Sequence, residues 1–153
     1  MPSELHEKLC AKGVSWLKRN GFLVSDMNIW AAGSRERVDC IGFRQQCSAL
    51  IEVKVSRSDF RADMKKPERH TGGVGNYRFY LTPADLVAVQ DLPIGWGLLE
   101  FSGRGIKMTH GPIGNYWPSK QNTAGTGWDF FAHNVCVNAE RSLLYTIARK
   151  TVK

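Results

Sequence analysis

The sequence has no apolar run near the roughly 18 residues that a membrane-spanning helix needs. Its N-terminus, MPSELHEKLC, lacks the apolar core of a secretory signal. Both absences argue against membrane and secreted classes and lead us to expect a cytoplasmic protein. Cysteine is sparse and poorly spaced for staples: four residues, at positions 10, 40, 47 and 136, with no Cys-x-x-Cys pair. Reduced thiols are expected, with Cys40 and Cys136 partly buried in apolar runs. A zinc site built from Cys40, Cys47 and His70 fits no common ligand spacing. Acidic residues are outnumbered, 14 Asp and Glu against 21 Lys and Arg, leaving a formal charge of +7. That excess favours polyanionic partners, nucleic acid first, with plain solubility as the alternative. There is no repeat, linker or second domain. Residues 1–153 read as one domain, and at 42% hydrophobic residues the chain can bury a core unaided.

The hydrophobic pattern places a helix over 3–20, capped by Ser3 and ended by Gly21. Strands follow over 22–31, 38–43 and 48–55. Ser56 opens a second helix, with Asp59 three positions on as in a capping box, and Pro67 stops it. Asp59 and Asp63 form an acidic pair on that helix. After a glycine-rich loop, 70–76, come a strand over 77–82 and a short helix from Pro83 to about Val89. A hairpin joins 95–101 to 105–109, and 111–129 reads as a long surface loop. Asn138 caps a last helix, with Leu143, Leu144, Ile147 and Ala148 towards the core. The expected fold is α/β: a mixed central sheet flanked by helices, in the order α-β-β-β-α-β plus C-terminal additions.

The segment IEVKV alternates apolar and polar residues, as a strand with one buried face does. Its polar positions are Glu52 and Lys54. If Gln45–Gln46 is the turn of a hairpin, facing residues sum to 91 and Asp39 stands opposite Glu52, with Cβ atoms about 4.5 to 5.5 Å apart. Lys54 then shares their face. Two adjacent carboxylates resist joint ionisation unless a cation relieves them. Mg²⁺ takes such oxygen ligands and can activate water against a phosphodiester, with Lys54 orienting that water or steadying the phosphate charge. The alternative is a surface ion pair between Lys54 and Glu52 or Asp39.

Asp39 followed by Glu52-Val53-Lys54, between two helices, resembles the PD-(D/E)XK nuclease superfamily; Val38 stands where the motif's name has proline. The stretches IEVKVSRSDFRADMKKPE, YRFYLTPADL and LPIGWGLLE are similar to its MmcB-like DNA-repair branch and phage-encoded relatives, over about residues 5–108. The resemblance implies a restriction-endonuclease-like core and a Mg²⁺- or Mn²⁺-dependent deoxyribonuclease, with Asp39, Glu52 and Lys54 catalytic. Asp39 and Glu52 would bind the metal, with the Val53 carbonyl and a first-helix carboxylate, Glu7 in preference to Glu4; Glu36 is a further candidate. It also allows a homodimer cutting both strands. A DNA-binding or regulatory module of the same fold without catalysis is the competing reading, and a partner-binding protein acting on a host complex is a third. Arg57, Arg61 and Lys65 recur at helical spacing and suit DNA phosphates, or else form a solvated face. Tyr116, Trp117 and Trp128 either stack on unpaired bases or pack the long loop down.

Overall fold

The computed structural model describes residues 3–31, 37–66 and 73–152. Helix α1 (Glu4–Arg19) begins where the Ser3 side chain accepts the His6 N–H. It ends at Gly21, whose φ of 86° lets Phe22 N–H return to the Leu17 carbonyl at 2.9 Å. That left-handed position suits glycine, and a Cβ there would stand 2.6 Å from the Arg44 guanidinium.

Strands β1 (Val24–Trp30), β2 (Arg37–Phe43) and β3 (Ser48–Val53) form an antiparallel meander. Helix α2 (Arg57–Asp63) then crosses over to β4 (Tyr77–Pro83), which pairs parallel with β3. Strand β5 (Trp96–Phe101) pairs parallel with β4, and β6 (Ile106–His110) closes the order antiparallel. The result is one mixed six-stranded sheet in sequential order, β1 to β6. Helix α3 (Val137–Arg149) ends the fold. The order α-β-β-β-α-β, with C-terminal additions, is the one expected of a restriction-endonuclease-like core.

Helices cover both faces. Leu9, Cys10, Trp16 and Leu17 of α1 pack with Cys40, Ile51, Val53, Phe79 and Leu81 on one face. Phe60 of α2 and Leu143 and Ile147 of α3 pack with Ile41, Leu50, Tyr80 and Leu98 on the other. All of β3 is therefore buried, Glu52 included, where the alternation predicts one wet face. No helix among the described residues is long and apolar enough to cross a membrane.

Several elements differ from the expectation. No helix forms from Pro83 to Val89. Parallel pairing with β5 carries β4 through Pro83, and only a 3-10 turn, Val89–Asp91, follows. Helix α2 stops at Asp63, so Lys65 lies in the turn beyond it. Cys136, not Asn138, occupies the cap of α3, and Cys136 is exposed. The core stripe of α3 is narrower than its spacing predicts, for Leu144 and Ala148 face solvent. Residues 111–129 are more than a surface loop. Trp117 and Trp128 are buried, while Tyr116 is exposed. Glu36, Pro67, His70 and Gly72, which figure in the expectations, lie outside the described residues.

Candidate functional site

The hairpin register is the one that sums to 91. Phe43 faces Ser48, Ile41 faces Leu50 and Cys40 faces Ile51. The Gln45–Gln46 turn is closed by Arg44 N–H to Cys47 O at 2.8 Å, and neither glutamine takes a positive φ. Beyond Cys40–Ile51 the two strands are also linked through side chains. The Asp39 N–H donates to Glu52 Oε2 at 3.2 Å, and the Val53 N–H donates to Asp39 Oδ2 at 2.8 Å. Each carboxylate thus accepts a backbone N–H of the neighbouring strand. Burial of a carboxylate is tolerable only with such donors. Asp39 and Glu52 are both buried, at 9% and 2% exposure.

Lys54 follows β3 directly. Its Nζ lies 3.1 Å from Asp63 Oδ1 on α2. Asp63 is fully buried and also takes the Tyr80 hydroxyl at 2.5 Å and Lys66 at 3.3 Å. The two aspartates of α2 therefore do different things. Asp63 lies one turn beyond Phe60, on the face that α2 presents to the sheet, and it anchors Lys54. Asp59 is exposed, and its N–H donates to Ser56 Oγ, the cap of α2.

From the other side, α1 brings His6 and Cys10 to Asp39. His6 Nε2 is 3.5 Å from Asp39 Oδ1, and Cys10 Sγ is 3.7 Å from His6 Nδ1. One ligand atom from each of His6, Cys10 and Asp39 can be chosen so that all lie within 4.8 Å of one another. Glu7 reaches this group through His6, its Oε1 standing 3.6 Å from Nδ1, and it accepts a bond from Asn28 Nδ2 at 3.1 Å. Asn28 lies abreast of Asp39, between the pairs Met27–Cys40 and Ile29–Val38, with a φ of 57°. Its own Oδ1 is buried without a hydrogen bond among the described residues. Glu4 is exposed in the first turn. His6, Cys10 and Asn28 are absent from the residues that the sequence motif selects. His6 and Cys10 nonetheless carry a legible signal: a metal-binding pair of residue types four apart on one helix.

Burial raises the Cys40 thiol well above its usual range, and the Cys47 thiol is pushed up to about 12 by the same cause. Cys40 donates to the Cys10 carbonyl and Cys47 to that of Trp117. Both are neutral, hydrogen-bonded thiols in the core.

Arg57, Arg61 and Lys65 are exposed. Arg57 Nε donates to Leu86 O at 3.1 Å, tying α2 to the β4–β5 connection. Arg57 and Arg61 line a cavity of about 600 Å³ together with Phe60, Met64, Val87, Asp85 and Asp91. Gly75, in the described part of the glycine-rich loop, is held down: its N–H donates to Glu140 of α3, and a Cβ there would sit 2.6 Å from Leu50 Cβ.

No protein-family model matches the chain, and no curated protein matches it significantly. Among solved structures it is similar to the SPO1766 protein of unknown function from Silicibacter pomeroyi. The identity is 20% and the TM-score 0.61, over 92% of this chain and 84% of that one. At that identity the likeness shows the fold alone.

Proposed function

We propose that the protein is a divalent-metal-dependent nuclease acting on DNA phosphodiesters. The observation that supports this most is the placement of Asp39 and Glu52, two buried carboxylates cross-bonded between β2 and β3, with a lysine directly after them. Two buried carboxylates are donors of the kind a divalent cation takes. Asp39 Oδ2 accepts the Val53 N–H, and Oδ1 faces His6 at the edge of the site. Asp39 and Glu52 would hold Mg²⁺ or Mn²⁺, which when bound supplies a polarised phosphate and a more acidic water. The Val53 carbonyl remains a proposed further ligand, and Glu7 acts through His6. Lys54, which follows Glu52 and Val53 and pairs with Asp63, would steady a phosphate oxygen. The exposed Arg57, Arg61 and Lys65, with the overall charge of +7, suit the backbone of a DNA partner. The cytoplasm is the proposed compartment, and a homodimer would place two such sites on opposite strands.

A binding or regulatory module is the second reading. It is favoured by the Lys54–Asp63 pair, which gives the lysine a buried partner of its own. Cleavage of plasmid, linear duplex and single-stranded DNA in Mg²⁺ and in Mn²⁺, by the wild type and by Glu52→Gln, separates the two. Metal-dependent cleavage that Glu52→Gln abolishes supports the nuclease. Tight DNA binding without cleavage of any form supports the module.

A further inference from the structure

We infer that His6, Cys10 and Asp39 form a site for a borderline transition-metal dication of the Zn²⁺ or Co²⁺ type, with one coordination position open to solvent. Asp39 is shared with the phosphodiester site proposed above. The assignment therefore rests on that site holding an ion, yet metal binding is measured without any cleavage.

Mg²⁺ takes oxygen donors, and a set of two or three carboxylates would suit it. Here the atoms that converge are an imidazole nitrogen, a thiol sulfur and a carboxylate oxygen, within 4.8 Å of one another. A mixed nitrogen, sulfur and oxygen set selects Zn²⁺ and its neighbours in the series. A tetrahedral ion with bonds of about 2.0 to 2.3 Å spaces its ligand atoms roughly 3.3 to 3.8 Å apart. His6 Nε2 and Asp39 Oδ1 already stand 3.5 Å apart. The Cys10 sulfur stands 3.7 Å from Nδ1, so it has to move from that nitrogen toward the Nε2 side for all three to share one ion.

The surroundings match such a site. A histidine that binds metal through one nitrogen commonly gives its other N–H to a carboxylate, which fixes the ring. Glu7 Oε1 stands 3.6 Å from His6 Nδ1 and would take its N–H once the Cys10 sulfur leaves that nitrogen for the ion; Asn28 Nδ2 holds Glu7 in turn. Val53 N–H fixes the Asp39 carboxylate from behind. Cys10 is fully buried and forms the inner wall, whereas the His6 and Asp39 side chains are 17% and 12% exposed and leave a way in. Binding forms a metal–sulfur bond and releases the Cys10 thiol proton to water, so affinity rises with pH. Three protein ligands and one open position are the arrangement of catalytic rather than structural zinc.

Cobalt titration of the chelator-treated full chain tests the site. One equivalent of Co²⁺ should produce tetrahedral visible bands and a near-ultraviolet sulfur-to-cobalt charge-transfer band, both abolished by Zn²⁺. Cys10→Ser should lose the charge-transfer band, and Cys136→Ser should keep it. His6→Asn, checked for folding by circular dichroism, should lose the tetrahedral spectrum should Cys10→Ser fail to fold. Glu7→Gln should weaken Co²⁺ binding by about 10- to 100-fold. Absence of a charge-transfer band in folded wild type, or its persistence in Cys10→Ser or in His6→Asn, overturns the assignment. Mg²⁺-dependent cleavage with no cobalt band sinks this site and leaves the nuclease standing; cobalt binding without cleavage of any DNA does the reverse.

Discussion

Strands β2 and β3 end in two different ways. At the turn, Gln46 Nε2 and Cys47 Sγ both donate to the Trp117 carbonyl, and the Trp117 ring is fully buried. It meets Phe22, Tyr77 and Trp128 edge-on at 5.0 to 5.2 Å, and Trp16 and Phe79 at 6.2 and 6.1 Å. At the other end the pair is finished by Asp39 and Glu52. The contrast shows how one hairpin divides its work. An aromatic plug at the turn contributes large apolar burial and edge-to-face contacts. The far end holds two buried carboxylates, each accepting a backbone N–H of the neighbouring strand, and it is there that the proposed cation would bind.

Breaking the plug should have the largest effect. Trp117→Ala removes the centre of the ring cluster, and a buried Trp-to-Ala change costs about 3 to 5 kcal/mol. Denaturant unfolding followed by circular dichroism would measure it. A loss under about 1 kcal/mol would mean that the loop is a cover rather than part of the core.

At the polar end, Lys54→Ala should be intermediate. It strips a cation from the fully buried Asp63, and breaking a buried pair can cost about 3 to 5 kcal/mol. Tyr80 and Lys66 still hold that carboxylate, so we expect about 1 to 3 kcal/mol. Glu52→Gln, by contrast, keeps an acceptor for the Asp39 N–H and relieves repulsion. Its stability should stay within about 1 kcal/mol of wild type while any cleavage disappears. A Glu52→Gln variant as unstable as Lys54→Ala would place Glu52 among the structural ion pairs and remove the contrast.

Reversing Arg57, Arg61 and Lys65 to Glu should leave folding intact, because all three are exposed. It should flatten the salt dependence of DNA binding, by roughly 0.9 in log–log slope for each duplex phosphate the protein no longer neutralises. An unchanged slope would assign the row to solvent and move DNA elsewhere.

The legibility of these regions in the sequence follows their physics. Period-two alternation and a two-residue turn bring Asp39 and Glu52 together, because they leave little freedom of register. Nothing comparable announces the plug, for Trp117 sits in an aperiodic loop at a φ of 51°, outside any repeating geometry. The burial of Glu52 is hidden for a related reason. A strand covered on both faces usually reads as continuously apolar, and here its polar residues are satisfied by bonds that only the folded register creates. Asp63 carries no sign of its partner, since Lys54 lies nine residues away across the α2 turn. His6 and Cys10 show their helical spacing, but what gives it meaning is the packing of α1 against Asp39.

The smallest expected effect tests the turn end again, through pH. His133 lies in the segment that packs beside β4 and β5, with a 2.9 Å contact from Nε2 to the Gly95 carbonyl and its ring 6.4 Å from that of Trp96. Burial holds its pKa below the ordinary 6.5; Arg78 and Lys120 lower it further, against the Gly95 carbonyl, which favours the proton. The folded protein therefore binds fewer protons here than the unfolded chain in the window between the folded pKa and about 6.5. Stability from this group is fully present above 6.5 and is lost as pH falls through the folded pKa. Unfolding free energy should accordingly decline as pH falls below about 6.5 towards the folded pKa, by at most about 1.4 kcal/mol per pH unit from this residue. In His133→Asn the same titration should be flatter, by up to that one-proton slope. Equal slopes in wild type and variant would show that the acid sensitivity comes from other groups.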